Sequence, residues 1–133
     1  MSTIPNPFIR IRSKNAHIKL FLQHILYLQA NGNSTIIFTV LPEKPEEICT
    51  YTTGYNLGHY KKLLSAPTAD TEEDGTLPES QFCTIHAKYL LNLQYFKQLY
   101  VKRKVLLDHP KQIILPIGRR FKSRLYDLIN KRR

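Results

Sequence analysis

The sequence predicts a mainly β domain, α+β in content, made of antiparallel strands with a short mid-chain helix and a C-terminal helix. Three observations carry this. Short runs alternate apolar and polar residues with period two, and turn-forming residues punctuate them. Two β-branched or apolar runs flank Asn31-Gly32-Asn33-Ser34, a hairpin signal. Amphipathic helical spacing occurs after Gly54 and after Gly118. A chain of 133 residues, 42% hydrophobic and 23% charged, is long enough for one real core and too short for two ordinary domains. Residues 1–7 read as an N-terminal extension and 8–133 as the domain, with an acidic loop insertion at 65–81.

The elements follow in order. Phe8-Ile9-Arg10-Ile11-Arg12 alternates and suits a half-buried strand; Lys14-Asn15-Ala16 is a turn, and His17 to Phe21 alternates again. Ile25 to Ala30 is nearly all apolar and closes on Asn31-Gly32, which supplies the positive φ of a tight turn before the β-branched Thr35 to Val40. Glu43 to Glu47 is polar loop, and Ile48 to Thr53 is a further strand. Leu57, Tyr60, Leu63 and Leu64 fall on one helix face. Ser65 to Gln81 holds Pro67, Gly75, Pro78 and five carboxylates without periodicity, so it reads as exposed loop. Phe82 to Ile85 is a strand, and His86 to Leu93 is apolar too densely for simple alternation, which reads as one or two helical turns. Tyr95 to Tyr100, Lys104 to Leu107 and Gln112 to Ile117 are strands, the last two joined by an Asp108-His109-Pro110-Lys111 turn. Arg119 then opens a helix with Phe121, Leu125, Leu128 and Ile129 on its apolar face and Lys122, Arg124, Lys131, Arg132 and Arg133 outside it. Tyr27, Tyr60, Tyr89, Phe96 and Tyr100 are expected in the core or at its edge.

Charge is segregated. His86 to Arg133 holds thirteen Lys/Arg against Asp108 and Asp127, a net +11, whereas Met1 to Ile85 sums to −1. Clustered cations displace counterions from phosphates, so a polyanion partner is expected. Cys49 and Cys83 have neither the density of a disulfide scaffold nor metal or redox spacing and are read as reduced, buried thiols. No run approaches the roughly 20 apolar residues of a membrane span, and the N-terminus lacks signal-peptide character, which points to the cytoplasm. His17, His24, His59, His86 and His109 form no pair with the spacing of an acid/base site, and no metal, phosphate-loop or nucleophile motif occurs, so no catalytic residue, metal or cofactor is expected. A basic RNA-binding or ribonuclease-like protein is the alternative; a basic face for anionic lipid or an acidic protein is a third.

Three blocks resemble a known family: Ile25-Leu26-Tyr27-Leu28-Gln29-Ala30-Asn31-Gly32-Asn33, Phe82-Cys83-Thr84-Ile85-His86-Ala87-Lys88-Tyr89-Leu90-Leu91-Asn92-Leu93, and Leu115-Pro116-Ile117-Gly118-Arg119-Arg120-Phe121. In this order and spacing they are similar to the LytTR DNA-binding domain of bacterial transcription regulators, from about Phe8 to Ile129. The resemblance implies an elongated antiparallel β domain whose loops, rather than a recognition helix, enter successive major grooves, where all four base pairs are distinguishable.

The family's base-reading positions map onto Asn33, Ser34 and Thr35, onto Ala87, and onto Arg119. Ala87 and Lys88 stand where Arg and Ser are usual, Ser34 replaces a frequent aromatic and Gly118 a frequent Ser. The Ala87 methyl is limited to a thymine methyl, and Lys88 is expected on phosphate instead. Arg119 suits the guanine edge; Arg120, Lys122 and Arg124 suit phosphates or a solvated helix face. His86 is expected to cap, to pack or to touch the DNA backbone, and Asn92 to hydrogen-bond backbone locally. Lys102-Arg103-Lys104 is an exposed basic turn or a phosphate clamp. The implied partner is double-stranded DNA, bound as paired direct repeats, with a homodimer on DNA and a regulatory protein partner as further expectations. Many members place a receiver domain ahead of this one; with seven residues before Phe8, control is expected from abundance, from a partner or from sequence beyond this chain.

Overall fold

The computed structural model describes residues 7–65, 82–100 and 103–131. The acidic segment at 66–81, Lys102, Arg132 and Arg133 lie outside the described residues.

Ten strands and two helices are present among the described residues: β1 (Phe8–Ser13), β2 (Ala16–Phe21), β3 (Ile25–Asn31), β4 (Ser34–Leu41), β5 (Lys44–Thr53), α1 (Leu57–Ser65), β6 (Phe82–His86), β7 (Tyr89–Asn92), β8 (Phe96–Tyr100), β9 (Lys104–Leu107), β10 (Ile114–Pro116) and α2 (Lys122–Lys131). All pairings are antiparallel. The centre is a five-stranded sheet in the order β5-β4-β3-β7-β6, accompanied by the β1-β2 hairpin and a three-stranded β10-β9-β8 sheet.

Period-two alternation sends successive residues of the central sheet to opposite faces. Leu28, Ile37, Leu90 and Phe82 pack with Ile9, Ile11 and Leu20 of the hairpin and Leu57, Tyr60 and Leu64 of α1. Tyr27, Leu91, Cys83 and Ile85 pack with Val105 and Leu107 of β9, Leu115 of β10, Ile117 and Leu125 of α2. The central sheet is therefore covered on both faces, which explains why β3 and β7 read as continuous apolar runs rather than as alternating ones.

That double burial overturns the helical reading of His86 to Leu93. The segment is a hairpin: β6 and β7 join through Ala87-Lys88, and only Leu93–Tyr95 makes a single 3₁₀ turn. A strand buried on both sides has no polar face to mark its period. Five smaller corrections have local causes. Glu43 stays in the turn, but 44–47 of the expected loop is the start of β5, with Leu41 pairing Lys44; β5 is a sheet edge, where Pro45 and charged Glu46 and Glu47 are tolerated because no neighbour needs their outward groups. The Asn31-Gly32 turn is centred one residue later, on Gly32-Asn33, and only Gly32 (φ +63°) is positive, the pattern of a type II′ turn. Leu63 is half exposed, beyond the sector that α1 buries, and Tyr100 lies at the exposed end of β8. The final strand is shorter than expected, Ile114–Pro116, because Gln112 takes φ +53° in the turn before it.

Asn92 ties the layers together. It is fully buried; its Nδ2 donates to the carbonyls of Leu22 (3.1 Å) and Ile25 (2.8 Å), and its Oδ1 accepts the Gln94 N–H (3.0 Å). The long-range bonds add to the local one that the sequence predicts. Cys83 is buried and Cys49 half-buried, both unpaired thiols. Burial pushes the Cys83 thiol up to about 11, with Arg124 opposing the shift.

Candidate nucleic-acid interface

Backbone bonds bring the candidate loops to one pole of the molecule. The β3-β4 tip at Gly32-Asn33 and the β6-β7 tip at Ala87-Lys88 lie side by side because β3 pairs with β7 and the Ala30 N–H donates to the Lys88 carbonyl at 2.9 Å. A register break in β6 then places the third element. Thr84 faces Leu90 and His86 faces Tyr89, which leaves Ile85 without a ladder partner, and its carbonyl accepts the Gly118 N–H at 2.7 Å. This bond draws the Arg119–Phe121 turn against the end of β6. The fit is close: a Cβ on Gly118 would meet the Phe121 ring at 3.0 Å and the His86 Cα at 3.5 Å, so glycine suits this position.

A fourth loop joins them. The Ile117 N–H donates to the Arg103 carbonyl at 2.7 Å, so the bend between β8 and β9 sits beside the Arg119 turn. His86, Arg103, Lys104, Gly118 and Arg119 line an open groove of about 380 Å³. The groove therefore gathers three cations from two loops, with His86 of a third beside them. Arg103, at φ +56°, and Lys104 are exposed.

The individual side chains differ in availability. Asn33, Ala87, Lys88, Arg119, Arg120 and Lys122 are exposed. Ser34 is half-buried, and its Oγ donates to the Asn31 carbonyl at 2.9 Å, closing the turn. Thr35 is fully buried with its hydroxyl donated to the Tyr55 carbonyl at 2.9 Å, so it shapes the loop from beneath. His86 accepts the Lys88 N–H on Nδ1 at 3.1 Å, which places the proton of its neutral form on Nε2, and its ring meets Tyr89 edge-on. It braces the β6-β7 tip. Arg120 and Lys122 follow on the next turn and do not line the groove; the Lys122 ammonium lies 5.5 Å over the Tyr126 ring. Arg103 and Lys104 are additions to the strongest candidates from the sequence, and their only signal there was the basic run at the β8-β9 bend.

No family model and no curated protein matches this chain. Among solved structures it is similar to a LytTr DNA-binding domain from Bacillus cereus, with a TM-score of 0.63 and 19% identity over 92% of this chain and 95% of that one. The chain has the LytTR fold. Within that fold, all three blocks that carried the resemblance meet at one pole: the β3-β4 tip, the β6-β7 tip and the Arg119 turn. None of the helices among the described residues is long and apolar enough to cross a membrane.

Proposed function

We propose that this chain is a sequence-specific DNA-binding regulator of transcription that presents loops, rather than a helix, to successive major grooves. One observation carries the reading: hairpin tips far apart in sequence are bonded together at a single pole beside a groove holding Arg103, Lys104 and Arg119. Cations so placed match duplex phosphates, and exposed polar tips beside them match base edges. Similarity to a domain described as DNA-binding supports the same class. Asn33 and Arg119 are the proposed base readers, Ser34 and Thr35 hold the first loop in shape, and Lys88, Arg103, Lys104, Arg120 and Lys122 serve phosphates. Ala87 offers a methyl to thymine. His86 positions the Lys88 tip and has Nε2–H free for a phosphate oxygen.

One copy has few base contacts, so two copies on a direct repeat are proposed to supply the specificity that one lacks. The test separates the roles. A selected duplex site and a random duplex are titrated against Arg119→Ala and Lys122→Ala. Arg119→Ala is expected to lose about 1–3 kcal/mol of discrimination, whereas Lys122→Ala weakens both duplexes alike and lowers the salt slope by about 0.9. Equal effects of the two changes on discrimination defeat the assignment. Preference for single-stranded or duplex RNA over DNA in the same titration replaces the reading with an RNA-binding one.

A further inference from the structure

The outer face of the β1-β2 hairpin has no role in the interface described above, yet its charge is unbalanced. Residues 1–42 contain no carboxylate and four cations, Arg10, Arg12, Lys14 and Lys19; the near-neutral sum of the N-terminal part hides this because its eight carboxylates all fall between Glu43 and Glu79. Strand alternation puts Ile9 and Ile11 inward and Arg10 and Arg12 outward. The register then sets Arg10 directly across from Lys19 and Arg12 across from His17. Like charges facing each other across a ladder destabilise it. No ion pair relieves any of the four among the described residues; the Phe8 ring, 4.2 Å from the Lys19 ammonium and 5.7 Å from the Arg10 guanidinium, and the Phe21 ring, 5.3 Å from the Lys19 ammonium, offer partial compensation.

The turn carries a second such cost. Lys14 (φ +50°) and Asn15 (φ +65°) both occupy the left-handed region, as a type I′ turn requires. Asn suits this conformation; lysine does so at a penalty of backbone strain, and holds a cation at the apex.

Position gives these cations a destination. Ser13 Oγ donates to the Thr52 carbonyl at 3.0 Å and fixes the hairpin tip against β5. Arg12, Lys14, Asn15, Ser34, Thr52 and Tyr55 line one open groove of about 600 Å³. Ser34 belongs to the β3-β4 loop, so this groove adjoins the pole on the side away from Arg119. Tyr55, 59% exposed, stands at its rim stacked on His59 at 4.3 Å.

We propose that the β1-β2 hairpin is a second phosphate clamp: Arg12 and Lys14 hold the DNA backbone flanking the site, and Arg10 and Lys19 continue that contact along the hairpin. The inference rests on the duplex-binding reading and extends its surface to the opposite side of the β3-β4 loop. Arg10 and Arg12 are two residues apart on a strand, about 7 Å, a step that matches successive backbone phosphates in scale. The ligand class is the sugar-phosphate backbone of a duplex, read without base specificity.

The experiment titrates the full chain with a labelled random-sequence duplex over a range of salt. Arg12→Gln with Lys14→Gln is expected to lower the log-log salt slope by about 1.8, the release expected for two phosphate contacts. The control, Lys44→Gln with Lys111→Gln, removes the same charge at the far pole and is expected to leave the slope close to that of the wild type. The charge-preserving pair Arg12→Lys with Lys14→Arg is expected to keep the wild-type slope. Equal loss in the hairpin and control variants reduces the effect to net charge and overturns the clamp. Loss in the charge-preserving pair assigns it to folding and overturns it too. An unchanged slope in the Gln pair, with a wild-type slope of several units, overturns the clamp and leaves duplex binding standing. A flat wild-type dependence removes both.

Discussion

Asn92 shows how one polar side chain can hold a β scaffold in register. Its amide satisfies the carbonyls of Leu22 and Ile25 and the Gln94 N–H in a site without solvent. Asn92→Ala strands those groups and is expected to cost roughly 2–4 kcal/mol, read from chemical denaturation; a loss below 0.5 kcal/mol, as at an ordinary surface position, contradicts the role. The sequence could show that Asn92 would bond to backbone, since short amides do so locally. It could not show Leu22 and Ile25, which sit about 70 positions away. Thr35 teaches the converse. A hydroxyl beside a turn looks available, yet Thr35, Ile37 and Thr39 share one buried face at period two, which the run from Thr35 to Val40 does not reveal because its polar and apolar residues do not alternate. Arg119 was legible as an exposed cation because Gly118 precedes it, whereas Lys88 sat in a run read as helical, and the proximity of the two left no trace in the sequence.

At the scale of elements, α2 is anchored by Leu125, its one fully buried side chain among the described residues, with Phe121 of the preceding turn and Leu128 and Ile129 half-buried around it. Leu125→Ala is expected to cost about 2–5 kcal/mol and to loosen the turn that carries Arg119 and Arg120. Thermal melting reads the first effect, and loss of duplex discrimination at a temperature where the variant is still folded reads the second. Melting unchanged within error refutes the anchor. Both helices were recognisable because each has a polar face to define its period. The β6-β7 hairpin was not, since burial on both faces removes the alternation that distinguishes strand from helix, and the β5 edge hid its first residues behind charges and a proline that an edge accepts. The bulge at Ile85, which decides where Arg119 stands, leaves no mark in composition at all.

For the whole molecule, burial holds two core groups, Tyr27 and Cys83, in their neutral forms. Burial, aided by Tyr89, pushes Tyr27 from 10.0 up to about 12, and Cys83 moves from 9.0 to about 11. Both are neutral when protonated, so below about pH 9 they stay neutral in folded and unfolded chains alike and their contribution is complete. Above it the unfolded chain ionises first and stability falls as pH rises through the folded values. Urea midpoints are expected to decline from pH 9 toward 11, with Cys83→Ala flattening the early part of the decline. A midpoint that rises over that interval contradicts the sign. Cys49 is expected to react with a thiol reagent in the native state well before Cys83 does.

The two ends of the central sheet are chemically unlike. Glu43, Glu46 and Glu47 lie at the β4-β5 turn and along the start of β5, with Asp108 in the turn after β9, and together they outnumber Lys44 and Lys111 nearby; the opposite end presents Lys14, Lys88, Arg103, Lys104 and Arg119. Among the described residues the charge is thus distributed as an electric dipole. Near a polyanion the molecule experiences a torque before any atoms meet, turning its loops forward and its acidic end away, so that a larger share of diffusive collisions begins in a productive attitude.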